Sequence, residues 1–291
     1  STQAKTLFPY TTLFRSTVHA LVVTGFGINC EEETAAAFRL VGASSQIVHL
    51  NDLFSEKVSL LDFDIFVLPG GFSFGDDLGS GRMLAQMLRH KRLASGKRFF
   101  DVLINDFLGN GKSILGICNG FQALVQSGLL PNTGGNYIQE ATLTRNLSMR
   151  FEDRFVNLVE NPSRSLSSAI KKNGMFIPVR HGEGRLVFVS DEVQTKVKEQ
   201  NLALFFYADN TGEHTLKYPE NPNGSTMAIA ALCDPSGQVF GLMPHPEACL
   251  YSMNRPDRGL LTCMGVTADY PADGFEFFKS YVTKKGVVSL S

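Results

Sequence analysis

The chain has 291 residues, of which 43% are hydrophobic and 19% are charged, and its formal net charge is −1. This length and composition predict one large or two small soluble domains with an ample core. The balanced charge argues against nucleic acid as a partner, and the lack of an apolar run of membrane length argues against a membrane protein.

The first sixteen residues show no periodicity typical of a helix or a strand. They also lack the basic start, the apolar run and the small-residue cleavage site of a signal peptide. Residues 8–16 look like translated sequencing-adapter sequence. We therefore interpret residues 1–16 as a non-native or disordered leader and residues 17–291 as the folded domain, in which no internal boundary is evident.

The first predicted unit is a strand followed by a helix. An apolar run at residues 19–24 predicts the strand, and Asn29 is placed to cap the helix that follows, ahead of three glutamates that suit its positive end. The apolar stripe of this helix stops at Gly42, a residue typical of helix ends. We interpret Cys30, beside the cap, as a packing or turn residue.

The alternation of strand and helix continues through the first half of the chain. Two further apolar runs predict strands buried on both faces, at residues 46–50 and 64–68. Helical patterns follow at residues 83–89 and 99–108. Strands separated by helices predict parallel pairing with right-handed crossovers, which makes a doubly wound α/β sheet.

A glycine-rich loop follows the third predicted strand, with five glycines between residues 69 and 81. Such loops at the carboxyl end of a parallel strand commonly bind ligands, and their backbone N–H groups can hold an anion. The loop lacks the Lys-Ser/Thr ending of a P-loop and the spacing of a dinucleotide fingerprint. We therefore expect it to form an oxyanion hole, the alternative being a flexible loop without a role.

The motif that organises the chain lies at residues 112–122. A strand runs into Gly116, Cys118 follows two residues later, and a helical pattern begins directly after it. Glycines at 116 and 120 allow the two flanks of so tight a turn to approach each other. This pattern predicts a nucleophile elbow, with the Cys118 side chain projecting into solvent or a pocket and with helix N–H groups directed at the thiol.

The other cysteines give no sign of a structural framework. All five are far apart in the chain, at positions 30, 118, 233, 249 and 263, and none forms a Cys-x-x-Cys pair. This spacing predicts neither disulfides nor a zinc site, and we expect no metal in the chain. Such cysteine usage is typical of the reducing cytoplasm.

The second half of the chain reads as shorter strands joined by polar loops. The predicted strands lie at residues 141–147, 151–159, 175–181, 202–208, 226–233 and 238–243. The last two flank Asp234-Pro-Ser-Gly237 and predict a hairpin, while residues 221–225 predict a tight turn. We expect these strands to be antiparallel additions to the parallel sheet.

The last of these strands leads into Pro244-His245-Pro246-Glu247. Prolines on both sides of His245 favour an extended backbone, in which residues two apart project to the same side. A carboxylate beside an imidazole orients the ring and stabilises its protonated form. The pattern therefore predicts His245 as a base for the thiol and Glu247 as the group that orients it.

Gly116-Ile-Cys118-Asn-Gly120 together with His245-Pro-Glu247 resembles the class I (triad) glutamine amidotransferases, whose flavodoxin-like domains hydrolyse glutamine to glutamate and ammonia. Further segments are similar to one branch of that family, in which the ammonia serves purine biosynthesis. These segments lie at residues 69–76, 145–152, 181–185, 221–225 and 243–247. The resemblance covers roughly residues 20–247, and the tail beyond it has the stripe of a closing amphipathic helix at residues 274–282.

The resemblance implies a role for each motif. Cys118 would attack the side-chain amide of glutamine and His245 would move the protons. The oxyanion would be held by the backbone N–H groups of Gly71 or Phe72 and of Asn119. Gln122 would contact the amino-acid end of the substrate. His181 and Glu183 would line either the substrate pocket or the partner interface.

The resemblance also implies a partner. The ammonia would pass to a synthetase subunit, or to a synthetase domain of the same chain, with or without a small bridging subunit. That synthetase would use ATP and magnesium to convert formylglycinamide ribonucleotide to formylglycinamidine ribonucleotide, so no cofactor is expected in this chain.

Two alternatives belong to other functional classes. One is a different Cys-elbow hydrolase with a flavodoxin-like fold, although such proteins usually place an acidic residue near the thiol and lack a His-Pro-Glu segment. The other is a docking subunit that keeps the fold without catalysis. A glutaminase assay separates this second alternative from an enzyme.

Overall fold

The computed structural model describes residues 18–76, 79–166 and 174–288. The predicted leader at residues 1–16 lies outside the described residues, as do residues 77 and 78 of the glycine-rich loop. Within these ranges no helix is long and apolar enough to cross a lipid bilayer.

A nine-stranded sheet forms the centre of the molecule, in the order β2-β1-β3-β4-β11-β10-β9-β6-β7, and β5 pairs with β8 in a separate ribbon. The strands are β1 (His19–Thr24), β2 (Ser44–His49), β3 (Ile65–Leu68), β4 (Ser113–Ile117), β5 (Ala141–Thr144), β6 (Glu152–Glu160), β7 (Met175–His181), β8 (Arg185–Phe188), β9 (Ala203–Ala208), β10 (Ile229–Cys233) and β11 (Val239–Leu242). The five strands from β2 to β11 are parallel, and the four beyond β11 are antiparallel. The predicted parallel sheet with antiparallel additions is confirmed.

The helices are α1 (Glu31–Leu40), α2 (Leu50–Phe54), α3 (Arg82–His90), α4 (Phe99–Asp101), α5 (Asn119–Gln126), α6 (Asp191–Glu199), α7 (Arg258–Cys263) and α8 (Asp273–Val288). One helical pattern is more irregular than expected, because α4 continues as a π-helical segment, Val102–Phe107, and a 3₁₀ turn, Leu108–Asn110. Further single 3₁₀ turns lie at Leu60–Asp62, Ser73–Asp76, Thr226–Ala228, Pro246–Ala248 and Ser252–Asn254.

Both faces of the sheet are covered, as a doubly wound fold requires. Phe240 of β11 packs against Phe277 and Tyr281 of α8, with ring centroids 5.8 and 6.0 Å apart. The next residue, Gly241, lies directly under Phe121 of α5. Successive residues of a strand face opposite sides of the sheet, so these two positions show α8 and α5 on opposite faces. The predicted closing helix after residue 273 is therefore part of the core.

Four local predictions were wrong or incomplete. The strand predicted at residues 46–50 as buried on both faces is the edge strand β2, in which only Val48 is buried. The cap of α1 is Cys30, not Asn29, because the Asn29 side-chain oxygen accepts from the Cys30 thiol (3.4 Å) instead of from a helix N–H. Strand β8 and helix α6 were not predicted. The signal for α6 was present, since Ser190 accepts a hydrogen bond from the Val193 N–H and two acidic residues follow it.

Candidate active site

The turn between β4 and α5 has the geometry of a nucleophile elbow. Cys118 has φ 50° and ψ −104°, a strained conformation for a residue with a side chain. A Cβ on Gly120 would overlap the Leu68 carbonyl, and one on Gly116 would lie 2.8 Å from the Gly120 backbone. The two glycines therefore permit the close approach predicted for this turn.

The Cys118 thiol is buried, with 5% of the residue exposed. Of the two predicted surroundings, solvent or a pocket, this burial excludes open solvent. Its sulfur lies 3.8 Å from the Arg180 carbonyl oxygen, near the end of β7. The antiparallel addition to the sheet thus passes beside Cys118, which the local sequence of the elbow could not indicate.

His245 and Glu247 form a buried pair, with His245 Nδ1 2.5 Å from Glu247 Oε1. The residues are 3% and 4% exposed. The predicted pairing is confirmed, but the predicted extended backbone is not, because Pro246 starts the 3₁₀ turn Pro246–Ala248. The His245 N–H donates to the Pro178 carbonyl of β7 (2.8 Å) and fixes the start of this turn.

Helix α8 supports the His-Pro-Glu turn from behind. The Gly274 N–H donates to the Cys249 carbonyl (2.9 Å), and a Cβ on Gly274 would overlap the Pro246 carbonyl. Asp273 accepts from the Phe176 N–H of β7 (2.9 Å) and from Arg255 (3.1 Å). The tail of the chain therefore positions the imidazole as well as closing the core.

Register in the sheet explains why Cys118 and His245 meet. β4 and β11 are parallel neighbours, and Ile117 pairs with Leu242. The chain therefore leaves both strands at the same edge, and the Cys118 N–H donates to the Leu242 carbonyl (2.8 Å). This edge, at the carboxyl ends of the parallel strands, is where doubly wound sheets bind ligands.

The charge on His245 results from opposing effects. Burial alone lowers its pKa, but the Glu247 carboxylate and then the Cys118 thiol outweigh burial and raise the pKa well above 6.5. Cys30 acts in the same direction. No hydrogen bond of good geometry reaches the buried Nε2 from another described residue.

Cys30 is the functional neighbour that the sequence did not reveal. Its sulfur, an imidazole nitrogen of His245 and a carboxylate oxygen of Glu247 lie within 4.8 Å of one another. Burial and the nearby Glu247 charge raise the pKa of the Cys30 thiol. The signal that could have found it is its position after β1, which runs parallel to β3 and ends at the same edge of the sheet.

The predicted oxyanion donors differ in availability. The Phe72 N–H donates to the Gly27 carbonyl (2.9 Å) and is therefore occupied in this structure. Gly71, with φ 148°, makes no hydrogen bond through its N–H to another described residue. Asn119 is the first residue of α5, and its side-chain oxygen accepts from the Ser73 N–H (3.2 Å). Of the two predicted donors in the glycine-rich loop, Gly71 is thus the one whose N–H is available in this structure.

Gln122 and Glu183 join the elbow to the glycine-rich loop. The Gln122 amide accepts from Asn119 Nδ2 (3.0 Å) and donates to the Glu183 carbonyl (2.5 Å), so both of its ends contact protein. The Glu183 carboxylate accepts from the Ser80 N–H (3.1 Å). With the Asn119–Ser73 contact, this network holds the loop at both ends.

His181 lies in a buried polar network beside the site. Asn146 Oδ1 lies 3.1 Å from its Nδ1, and Asn223 Nδ2 lies 3.5 Å from its Nε2. Asn223 also donates to the Tyr207 hydroxyl (3.0 Å). Burial, with the nearby His245 as a second cause, lowers the pKa of His181 to about 3. The ring is therefore neutral in the native protein, and its surroundings suit a structural role.

We expect His181 to make the protein less stable in acid. Because its folded pKa of about 3 lies below the unfolded value of 6.5, the unfolded chain binds a proton between these limits that the native chain does not. The free energy of unfolding should fall by up to about 5 kcal/mol as pH decreases through this window. Urea denaturation across the window, with His181→Gln, measures the effect.

The matched control for that measurement is His90→Gln, at the exposed end of α3. We expect His181→Gln to be less stable at neutral pH but to lose less stability on acidification than the parent chain. His90→Gln should keep the parent pH dependence. If the free energy of unfolding has the same pH dependence in the parent and in His181→Gln, the buried ring takes up a proton in the native protein without a loss of stability.

Comparisons with known proteins agree with this geometry. A family model described as a CobB/CobQ-like glutamine amidotransferase domain matches residues 17–264, which include Cys118, His245 and Glu247. Subunit PurQ of phosphoribosylformylglycinamidine synthase from Methanococcus maripaludis is 41% identical over 239 residues, which are 81% of this chain and 84% of that protein. The same subunit from Dehalococcoides mccartyi is 41% identical over 241 residues, 83% and 89% of the two chains.

A solved structure is also similar. The structure titled PurLQS from Thermotoga maritima contains a chain that matches 91% of this chain and 98% of its own length. The two are 28% identical, with a TM-score of 0.63. The similarity therefore extends over nearly the whole fold.

Proposed function

Because the chain belongs to the CobB/CobQ-like glutamine amidotransferase family, we propose that it is the glutaminase component of phosphoribosylformylglycinamidine synthase. The observation that carries the proposal is the strained Cys118 beside the buried His245–Glu247 pair. Two further segments of the chain, residues 221–225 and His181-Gly-Glu-Gly, are similar to the corresponding segments in the branch of the family that serves purine biosynthesis.

The first half-reaction would use Cys118 as the nucleophile. His245 takes the thiol proton, and the thiolate attacks the side-chain amide carbon of glutamine. The oxygen of the tetrahedral intermediate is held by the Gly71 and Asn119 N–H groups, each contributing about 3 to 4 kcal/mol. The intermediate collapses to a glutamyl thioester as the His245 imidazolium gives its proton to the departing ammonia.

The second half-reaction would regenerate the thiol. His245 takes a proton from water, the resulting hydroxide attacks the thioester, and the Cys118 thiolate leaves. Glutamate is released and the thiolate recovers the proton from His245. Glu247 orients the ring through Nδ1 and stabilises the imidazolium that forms in both halves, in keeping with the raised pKa of His245.

The ammonia would be consumed by a synthetase partner. We place ATP, magnesium and formylglycinamide ribonucleotide in that synthetase, which is a separate subunit or a domain of a longer chain and is assisted in some forms by a small bridging subunit. The five free cysteines suit a cytoplasmic location. The Glu183 carboxylate contacts the loop that we expect the partner to influence, because it accepts from the Ser80 N–H.

We expect the isolated chain to be a poor glutaminase that its partner activates. The thiol is 5% exposed, so glutamine reaches it only after the covering segments move. Hydrogen bonds fix the glycine-rich loop at Ser73 and Ser80, through Asn119, Gln122 and Glu183. We expect the loop to change its conformation about these two fixed positions. If the productive arrangement is a minor state, a partner that prefers it by about 3 kcal/mol would raise turnover up to roughly a hundredfold.

The measurement is steady-state glutamate release by the purified chain, alone and with the synthetase, formylglycinamide ribonucleotide and ATP. Leaving out one component at a time identifies which of them activates the chain. Equal rates under all conditions would reject partner-gated catalysis and leave a constitutive glutaminase. No glutamate release under any condition would favour the docking subunit and reject the proposed function.

A further inference from the structure

The catalytic pair has a third potential ligand group beside it. Cys30 precedes α1, whereas His245 and Glu247 follow β11, and the three side chains meet at one edge of the sheet. One ligand atom from each lies within 4.8 Å of the other two. Sequence spacing gave no indication of this cluster, because its members come from distant segments.

A glycine leaves space between the thiol and the ring. A Cβ on Gly70 would lie 2.7 Å from Cε1 and 3.3 Å from Nδ1 of His245, and also 3.3 Å from the Cys30 sulfur. The Nδ1–Cε1 edge of the imidazole and the sulfur therefore border the same small space. Any larger residue at position 70 would fill it.

The cluster also contains a buried carboxylate oxygen without a partner. Glu247 Oε2 is buried and has no hydrogen-bond partner among the described residues. Leaving a buried polar atom unsatisfied is unfavourable, so this arrangement gains from an added partner. A carboxylate oxygen without a donor is in addition a ready ligand for a cation.

We propose that Cys30, His245 and Glu247 bind a divalent zinc ion, and that the bound ion inhibits the glutaminase. Thiolate, imidazole and carboxylate are the ligands that Zn²⁺ prefers, and three protein ligands leave a fourth position for water. Tetrahedral zinc with bond lengths of about 2.0 to 2.3 Å places its ligand atoms about 3.3 to 3.7 Å apart. The Cys30 sulfur would therefore move towards the pair, and His245 Nδ1 and Glu247 Oε1, now 2.5 Å apart, would separate by roughly 1 Å. The inhibitory part rests on the proposed function.

The bound ion would inhibit glutamine hydrolysis because it occupies the Nδ1 nitrogen of His245. Zinc bound at Nδ1 replaces the proton that this nitrogen directs at Glu247. That proton moves to Nε2 if the ring is neutral, or leaves to solvent if the ring is an imidazolium that already has a proton on Nε2, and the Cys30 thiol proton leaves to solvent. The neutral ring then carries its remaining proton on Nε2. It has no lone pair with which to accept the Cys118 proton, so the thiol is not activated.

Binding is tested without reference to activity. The full chain is titrated anaerobically with Co²⁺, which accepts the same ligands as zinc and gives a thiolate charge-transfer absorption. We expect one Co²⁺ per chain, displaced by Zn²⁺, in the parent and in Cys263→Ala, whose exposed cysteine is the matched control. The signal should disappear in Cys30→Ala. Retention of the signal in Cys30→Ala, or no binding by the parent, would overturn the proposal.

Inhibition is tested in a second arm with buffered free Zn²⁺ and the glutaminase assay of the activated complex. The zinc concentration for half-inhibition should rise at least about tenfold in Cys30→Ala and stay unchanged in Cys263→Ala. Cys30→Ser, which keeps the size of the side chain, serves if Cys30→Ala does not fold. If the chain binds cobalt but has no glutaminase activity, the proposed function is rejected and the metal site is retained. If the parent and Cys30→Ala are equally sensitive to zinc, the inhibitory role is rejected.

Discussion

Replacing Cys118 by alanine should reduce glutamine hydrolysis by at least about 10⁴-fold, because the alanine side chain cannot form the thioester. The fold should survive, because alanine can keep the strained backbone conformation of Cys118 and only one sulfur atom is lost from the small space at the turn. Glutamate release by the variant in the activated complex measures the first effect. Circular dichroism and binding to the synthetase measure the second.

The control compares Cys118 with the other cysteines. Cys263→Ala, on the exposed helix α7, should keep the parent rate. A glutamine-like electrophile should label Cys118 in preference to Cys30 and Cys263, even though Cys118 is the more buried, because only Cys118 lies where the substrate amide would be held. If Cys118→Ala retained more than a few per cent of the parental turnover, the assignment of Cys118 as the nucleophile would be wrong.

His245→Ala should cost more activity than Glu247→Gln. The imidazole moves a proton in every step, so its loss should reduce turnover by about 10⁴-fold or more. The carboxylate orients the ring and stabilises its charge, and a glutamine oxygen can still accept from Nδ1. We therefore expect a loss of about 10²- to 10³-fold for Glu247→Gln. Turnover of both variants with the synthetase and its substrates gives the comparison.

Both substitutions lie in a buried site, so thermal unfolding and synthetase binding should accompany the rate measurements. Ser252→Ala, a buried polar change in the turn Ser252–Asn254, controls for a general loss of packing and should retain most activity. A greater loss in Glu247→Gln than in His245→Ala would mean that the roles of the two residues are misassigned.

The two alternative functions are not equally compatible with the structure and the family match. Another Cys-elbow hydrolase is disfavoured, because the family match spans residues 17–264 and the site contains the His245–Glu247 pair. A docking subunit without catalysis shares the family and the fold, so only turnover distinguishes it. The Cys118→Ala measurement answers this question, since a chain with no activity to lose cannot show the expected decrease.

Several features were determined by the sequence alone, because their causes lie within a few residues. The strand–turn–helix around Cys118 follows from apolar runs and two glycines, and the structure has β4, a strained residue and α5 in those positions. Strand β1 was predicted at its observed bounds for the same reason. The Pro-His-Pro-Glu segment likewise predicted the pairing of His245 with Glu247, because two residues of separation bring them together in more than one backbone conformation.

Tertiary structure alone decided what surrounds these motifs. The burial of Cys118 depends on β7 passing beside it, and the position of His245 depends on the parallel register of β4 with β11 and on support from α8. Cys30 joins the site only because β1 and β3 are neighbours that end at the same edge. Strand order and register arise from the packing of the whole core, which no local window of sequence contains. For this reason Cys30, interpreted from the sequence as a packing or turn residue, lies beside His245 and Glu247.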